Sequence, residues 1–107
     1  MPRRFWRQGD LVFRRLEDNE SGSQFGDKVK VLKVGSETGH PHTIRAKTIL
    51  LSGSINLETG LTERLDQAFL EDTKPIEVSH EQHATLLLPE GRYVVRTVGL
   101  GRSRMFD

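Results

Sequence analysis

Cysteine is absent from this chain of 107 residues, and proline occurs only four times. Without cysteine the chain has no disulfide, thiolate zinc site, iron–sulfur cluster or cysteine nucleophile. Any transition-metal site must therefore use histidine and carboxylate side chains. Aromatic residues make up only 7% of the chain. The core of such a small domain is thin, so a metal ion or a partner subunit would add useful stability.

Long apolar runs are also missing. No run approaches the roughly 20 apolar residues that span a bilayer. Residues 1–4 lead into charged sequence, whereas a signal peptide would continue with an apolar stretch. We therefore expect no membrane partner and a cytoplasmic location, in the host cell if a phage encodes the protein.

Charge is unevenly distributed, although the net charge is only +1. Residues 1–15 hold five arginines and one aspartate, and residues 90–107 hold four arginines, one glutamate and one aspartate. The two ends are therefore basic and the middle is acidic. If the first strand and the last strand lie side by side, the ends form one positive face suited to assembly or to nucleic acid.

Short β-rich segments separated by turn residues predict a mainly β fold. We expect one domain over residues 1–107, a small sandwich or partly open barrel, with basic tails at 1–7 and 100–107. Strands are predicted at residues 10–16, 28–34 and 42–51, and residues 67–72 favour a strand over a helix. Within 28–34 the alternation predicts that Val29, Val31 and Val34 face inward. Residues 84–88 and 92–98 flank Pro89-Glu90-Gly91 and predict a C-terminal hairpin.

The four histidines fall into two close pairs, His40 with His42 and His80 with His83. On an extended segment His40 and His42 point to the same side, so both imidazoles can reach one ion. His80 and His83 share a side only on a helical turn. Ser79 with Gln82 matches the capping box that favours such a turn, so we expect at most one short helical turn there.

If the pairs meet, their imidazoles can bind a divalent transition metal, with support from Glu37 or Glu81 and with Thr38 as a further neighbour. Zinc is the first expectation, and nickel, iron, manganese and copper also suit these ligands. The alternative is that the histidines lie in surface loops and bind no metal. Hydrolysis is less favoured, because Ser36 and Ser79 lie in no nucleophile motif.

Four blocks carry a resemblance to a known family. They are QGDL at residues 8–11, GSETGHPH at 35–42, VSHEQH at 78–83 and LPEGRYVV at 88–95. Together they resemble a family of small, uncharacterised bacterial and phage-encoded proteins with no established activity. The resemblance implies a β fold, grouped histidines and an extended stretch at residues 67–72.

The likeness to cupins is only distant. The first cupin motif needs a glutamate four or five residues after its second histidine, where this chain has Ala46 and Lys47. The second motif is half met, because Pro89 and Gly91 match but Val94 replaces the histidine. Cupin catalysis is therefore not transferred to this chain.

The basic ends suggest a different function. Arginines bind phosphate and aromatic rings stack on bases in single-strand binders, although a lone tryptophan near a terminus often covers a thin core. The candidate residues are Arg3, Arg4, Phe5, Trp6, Arg7, Arg102 and Arg104.

We expect a metal-binding β protein with a structural or binding role, its ligands being His40, His42, His80 and His83. The first alternative is an interaction module without metal, which binds nucleic acid or takes part in phage or host assembly. The second is a small metal-dependent enzyme. A homo-oligomer or a larger protein assembly is compatible with each of these functions.

Overall fold

The computed structural model describes residues 3–20, 27–35, 39–51, 61–62 and 67–98. These residues form nine strands and, within those ranges, no helix. No membrane-crossing helix is therefore present in them. The mainly β prediction is confirmed. The strands are β1 Phe5–Gln8, β2 Leu11–Arg15, β3 Asp27–Val34, β4 His42–Leu51, β5 Leu61–Thr62, β6 Ala68–Asp72, β7 Ile76–His80, β8 His83–Leu88 and β9 Gly91–Thr97.

The strands form one sheet that curls into a nearly closed barrel. Neighbouring strands follow the order β1-β2-β9-β6-β4-β3-β5, and β7 leaves β4 to pair with β8. The short pairing of β3 with β5 is parallel, and the other described pairs are antiparallel. Of the two expected architectures, the chain adopts the partly open barrel.

Strand β4 joins the two parts of the sheet because it pairs along both edges. One edge carries β3, and the other carries β6 against residues 48–51 and β7 against residues 43–45. Between β6 and β7 the carboxylate of Asp72 accepts the backbone N–H groups of Lys47 and Lys74. Pro75, which has no N–H group, follows. Residues 73–75 therefore interrupt the strand between β6 and β7. On either side of this interruption, β6 pairs with β9 and β7 pairs with β8.

The main core cluster contains three aromatic side chains among aliphatic ones. Phe13 and Tyr93 are fully buried, and Trp6 is 6% exposed. Trp6 meets Tyr93 edge-on, with ring centroids 5.5 Å apart, and the Tyr93 hydroxyl donates to the carbonyl of Pro89. Trp6 therefore covers the core and is not exposed for stacking on a base.

The predicted C-terminal hairpin is wrong. Both of its strands are present, but β8 pairs with β7, and β9 lies between β2 and β6. Residues 89–90 therefore connect β8 to a strand, β9, that is not its neighbour in the sheet, and the two strands do not form a hairpin. The turn residues indicate that the chain reverses there, but they do not determine which strand becomes the neighbour.

The basic N-terminal segment is part of the sheet. The sequence predicts a tail over residues 1–7, whereas Phe5–Gln8 form β1 and pair with β2. The expectation that the first predicted strand and the last strand lie side by side is confirmed, because β2 pairs with β9. Residues 100–107, the other predicted tail, lie outside the described residues.

A β-bulge reverses one expected orientation in β3. The register against β4 shifts between Val29 and Val31, so strict alternation fails at this point. Val31 is 38% exposed, whereas Leu32 is fully buried. The prediction that Val31 faces inward is therefore wrong, while Val34 is buried as expected.

Replacing Leu32 tests this register. We expect Leu32→Ala to lower the free energy of unfolding by about 2–5 kcal/mol, because it removes fully buried methyl groups and leaves a cavity. Val31→Ala is the control and should cost no more than about 1 kcal/mol, because the side chain is partly in water. Urea unfolding followed by circular dichroism measures both values. A larger loss for Val31→Ala than for Leu32→Ala would contradict the bulge.

Candidate functional site

The four histidines lie together where β4 begins and β7 turns into β8, although residues 43–79 separate the two pairs. The ring centroid of His80 lies 4.6 Å from that of His42, 4.5 Å from that of His83 and 6.3 Å from that of His40. The rings of His42 and His83 are parallel, with centroids 6.2 Å apart. The sheet therefore brings both pairs into one cluster, in which His80 is central.

His42 is fully buried and is held from both sides. Its Nδ1 lies 2.8 Å from Oε1 of Gln8, and its Nε2 lies 2.8 Å from Oδ1 of Asp10. Gln8 and Asp10 are only 4% and 5% exposed. The Nε2 group of Gln8 donates to the carbonyls of Val78 and Ala84, each at 2.9 Å. The Gln8 side chain thus makes three hydrogen bonds, two of them buried and the one to Ala84 partly buried.

These contacts determine where the protons lie on His42. Because the Gln8 amide nitrogen donates to two carbonyls, the Gln8 oxygen must accept, and Nδ1 of His42 must carry a proton. The contact between Nε2 and Oδ1 of Asp10 requires one further proton, on either the nitrogen or the oxygen. The pair of His42 and Asp10 therefore holds one shared proton in a buried position.

A tight turn at Gly9 brings Asp10 and His83 to this site. Gln8 pairs with Leu11 in the β1–β2 hairpin, and Gly9 has a φ of 57°. A positive φ at the first of two central residues is typical of a type II′ turn. A methyl group at Gly9 would lie 2.8 Å from Nε2 of His83. The absence of a side chain at Gly9 therefore gives His83 room above the turn.

His80 and His83 are cross-strand partners in the β7–β8 hairpin, so the predicted helical turn is wrong. Ser79 and His80 are still in β7, and only Glu81 and Gln82 form the turn. The backbone N–H of Gln82 donates to Nδ1 of His80 at 3.0 Å, which satisfies a turn amide without a helix. The direct pairing brings both rings to one site by a different route.

His40 lies at the edge of the cluster. Its Nδ1 is 2.9 Å from a carboxylate oxygen of Glu81, whose side chain is 75% exposed. Glu81, an expected supporting residue, therefore contacts His40 and not the buried His42. Glu37 and Thr38 lie outside the described residues.

Burial favours neutral imidazoles at the centre of the cluster. Desolvation lowers the pKa of His42, although the hydrogen bond and charge of Asp10 act in the opposite direction. Desolvation and then the neighbouring His83 lower the pKa of His80. Neutral imidazole is the form that binds metal ions.

Metal binding would require a rearrangement. Within the described ranges, no three His, Asp or Glu side chains are already arranged to hold one ion. Both ring nitrogens of His42 are in hydrogen bonds, and Nδ1 of His80 accepts from the backbone. The cluster as it stands is a hydrogen-bonded polar network.

The candidate nucleic-acid residues lie in different environments, and they do not all share one exposed surface. Trp6 is buried, whereas Phe5 is 58% exposed. Arg4 forms a 2.7 Å ion pair with Glu17. Arg3 and Arg7 line a surface cavity together with Phe5. Arg102 and Arg104 lie outside the described residues.

A family model described as a domain of unknown function (DUF8820) matches residues 7–98. The chain belongs to the DUF8820 family. The matched range includes all four motif blocks, so the expectation of an uncharacterised family is confirmed. No curated protein and no solved structure is significantly similar to the chain.

Two residues of the site in this DUF8820 domain were not among the candidates from sequence. Gln8 and Asp10 flank Gly9 in a segment that is typical of an ordinary hairpin turn. Their buried contacts with His42 depend on the long-range closure of the barrel. The only signal in the sequence was the polar QGDL block itself, which contains three turn-forming or polar residues before a strand.

Replacing Gln8 tests the role of the network in the DUF8820 domain. We expect Gln8→Met to lower the free energy of unfolding by roughly 2–4 kcal/mol, because it leaves Nδ1 of His42 and two carbonyls without their partner. Gln82→Met is the control, because that side chain is exposed, and it should change stability by less than about 0.5 kcal/mol. Urea unfolding measures both. Equal stability of Gln8→Met and the native chain would contradict the network.

Proposed function

We propose that this DUF8820 domain binds a divalent transition metal ion at Asp10, His42, His80 and His83, with zinc as the first candidate and with a structural or binding role. The observation that carries the proposal is the orientation of His42. The side-chain oxygen of Gln8 accepts a hydrogen bond from the N–H at Nδ1, and this directs Nε2 toward a carboxylate oxygen 2.8 Å away. A ligating histidine typically donates its second N–H to a protein oxygen in this way.

In this proposal the metal ion replaces the proton shared by His42 and Asp10. Zinc lies about 2.0–2.2 Å from nitrogen and oxygen ligands, so tetrahedral ligands are roughly 3.3 Å apart. The distance between Nε2 and Oδ1 is 2.8 Å. An outward movement of about half an ångström at this contact would therefore accommodate the ion, and binding would release a proton.

His80 and His83 supply the remaining imidazoles. His83 is exposed and lies beside Gly9 and His42, so its ring has room to turn toward the ion. His80 lies between His42 and His83 and must exchange its hydrogen bond with the Gln82 amide for the metal. Three imidazoles and one carboxylate suit zinc, and they also suit nickel, iron, manganese or copper.

The position of the ligands supports a structural role, because the proposed ligands come from three separate segments of the chain. Asp10 lies in the β1–β2 turn, His42 begins β4, and His80 and His83 flank the β7–β8 turn. These segments are distant in sequence. An ion bound to all of them would stabilise the folded chain by mass action, because the unfolded chain does not hold the ligands together.

Zinc titration of protein purified without a polyhistidine tag tests this function. We expect near-stoichiometric metal by elemental analysis, proton release on binding, and a melting temperature that falls on chelation. Asp10→Asn should weaken zinc binding by at least about tenfold, because its amide still forms a hydrogen bond to Nε2 of His42 but is a poor ligand. His83→Ala should weaken binding similarly.

His40→Ala is the matched control, because it removes an imidazole that pairs with Glu81 at the edge. It should retain the metal. Zinc binding that is equally tight in the native chain and Asp10→Asn would contradict the proposal. So would a chain that purifies without metal and does not melt at a higher temperature in zinc.

A further inference from the structure

The outer face of β1, β2 and β9 carries a second chemical pattern, separate from the histidine cluster. Directly opposite residues in an antiparallel pair lie on the same face. Phe5 is opposite Arg14, and Arg14 is opposite Val94. Beside this row, Arg7 is opposite Val12, and Val12 is opposite Arg96. We call these six residues, together with Arg3, the Phe5 face: Arg3, Phe5, Arg7, Val12, Arg14, Val94 and Arg96.

The Phe5 face is concave. Two adjoining surface cavities of about 380 and 180 Å³ share Phe5 and Val12 in their walls. Phe5 is 58% exposed, so a large part of its ring is open to a ligand. A planar apolar group could therefore lie against the ring between the two cavities.

The charge around Phe5 is of one sign. Arg3 and Arg7 line the larger cavity, and Arg14 and Arg96 line the smaller one. None of the described residues in either wall is acidic. Arg14 forms a double hydrogen bond with Glu20 at 3.0 Å. The Nε groups of Arg3 and Arg7 donate to the carbonyls of Phe5 and Gly9, each at 2.8 Å. The cations that we assign to a ligand are Arg3, Arg7 and Arg96, because they line the two cavities that meet at Phe5.

We propose that the Phe5 face binds single-stranded nucleic acid. The exposed ring of Phe5 stacks on one unpaired base, and the arginines contact the phosphates on either side. A base in a duplex is already stacked and cannot lie on this ring, so single strands are preferred. Charge complementarity supports this partner, because a run of phosphates matches a concave surface with arginines on both sides of an aromatic ring.

The Phe5 face and the histidine cluster lie on opposite sides of the same strands. Along β1 the exposed Phe5 and Arg7 alternate with the buried Trp6 and Gln8. A substitution at Phe5 therefore leaves Gln8 and its contact with His42 in place. Loss of nucleic-acid binding and loss of metal binding can consequently be measured independently.

Fluorescence anisotropy with labelled 15-nucleotide oligo-dT and oligo-U, each at several salt concentrations, tests the proposal. We expect Phe5→Ala to weaken binding by between about fivefold and a hundredfold. Arg7→Ala should lower the slope of log affinity against log salt by about 0.7, the value for one phosphate contact on a single strand. Emission from Trp6, the only tryptophan, should change on binding, because it lines the larger cavity.

Two controls match these variants. Leu87 is 61% exposed and lies on β8, so Leu87→Ala removes a similar exposed apolar group from another place. Arg45→Ala removes an exposed arginine from β4. Both variants should bind as the native chain does, and circular dichroism checks that all four variants fold.

A preference for oligo-U assigns the face to RNA, and equal binding of both oligonucleotides assigns it to single strands in general. The proposal is wrong if neither oligonucleotide binds at low salt. It is also wrong if a DNA duplex of the same length binds as tightly, or if Leu87→Ala and Arg45→Ala weaken binding as much as Phe5→Ala and Arg7→Ala.

Discussion

The side chain of Gln8 connects two strands of the barrel, β1 and β8, that are not paired through their backbones. Strand β1 pairs with β2, and β8 pairs with β7, so β1 and β8 face each other without direct pairing. The Gln8 amide bridges this gap through the carbonyls of Val78 and Ala84. Its oxygen then fixes the ring of His42. One side chain thereby links β1 to β7 and β8 and orients the buried His42 of the site.

This arrangement explains why a thin core contains a buried polar network. Gln8, Asp10 and His42 occupy positions that apolar residues could fill, and a protein in which a whole buried polar group of this kind is replaced together by apolar residues is often no less stable. The network instead holds a proton on Nδ1 of His42 and places a carboxylate at its other nitrogen. Such an orientation has value for binding a cation, and the proposed metal would use it directly.

Local sequence patterns predicted where the strands lie better than they predicted which strands pair with each other. Near alternation identifies β3 and β-branched residues identify β4, whereas β1 was predicted as part of a tail. The pairing of β9 with β2 and β6 depends on the break after Asp72, which has no local signature strong enough to define sheet order. The spacing of the histidines predicted two pairs, but whether the pairs meet depends on the pairing of β4 with β7, which the spacing does not determine. Asp10 was missed because an aspartate after glycine is typical of any hairpin turn.

Long-range proton–nitrogen NMR of the histidine rings tests whether Gln8 holds the proton on Nδ1 of His42. We expect this nitrogen to carry a proton that exchanges slowly with solvent, and Gln8→Met to increase the exchange. On addition of zinc, Nδ1 should keep its proton while the proton between Nε2 and Asp10 is lost. An unprotonated Nδ1 on His42 in the native chain would contradict this role of Gln8.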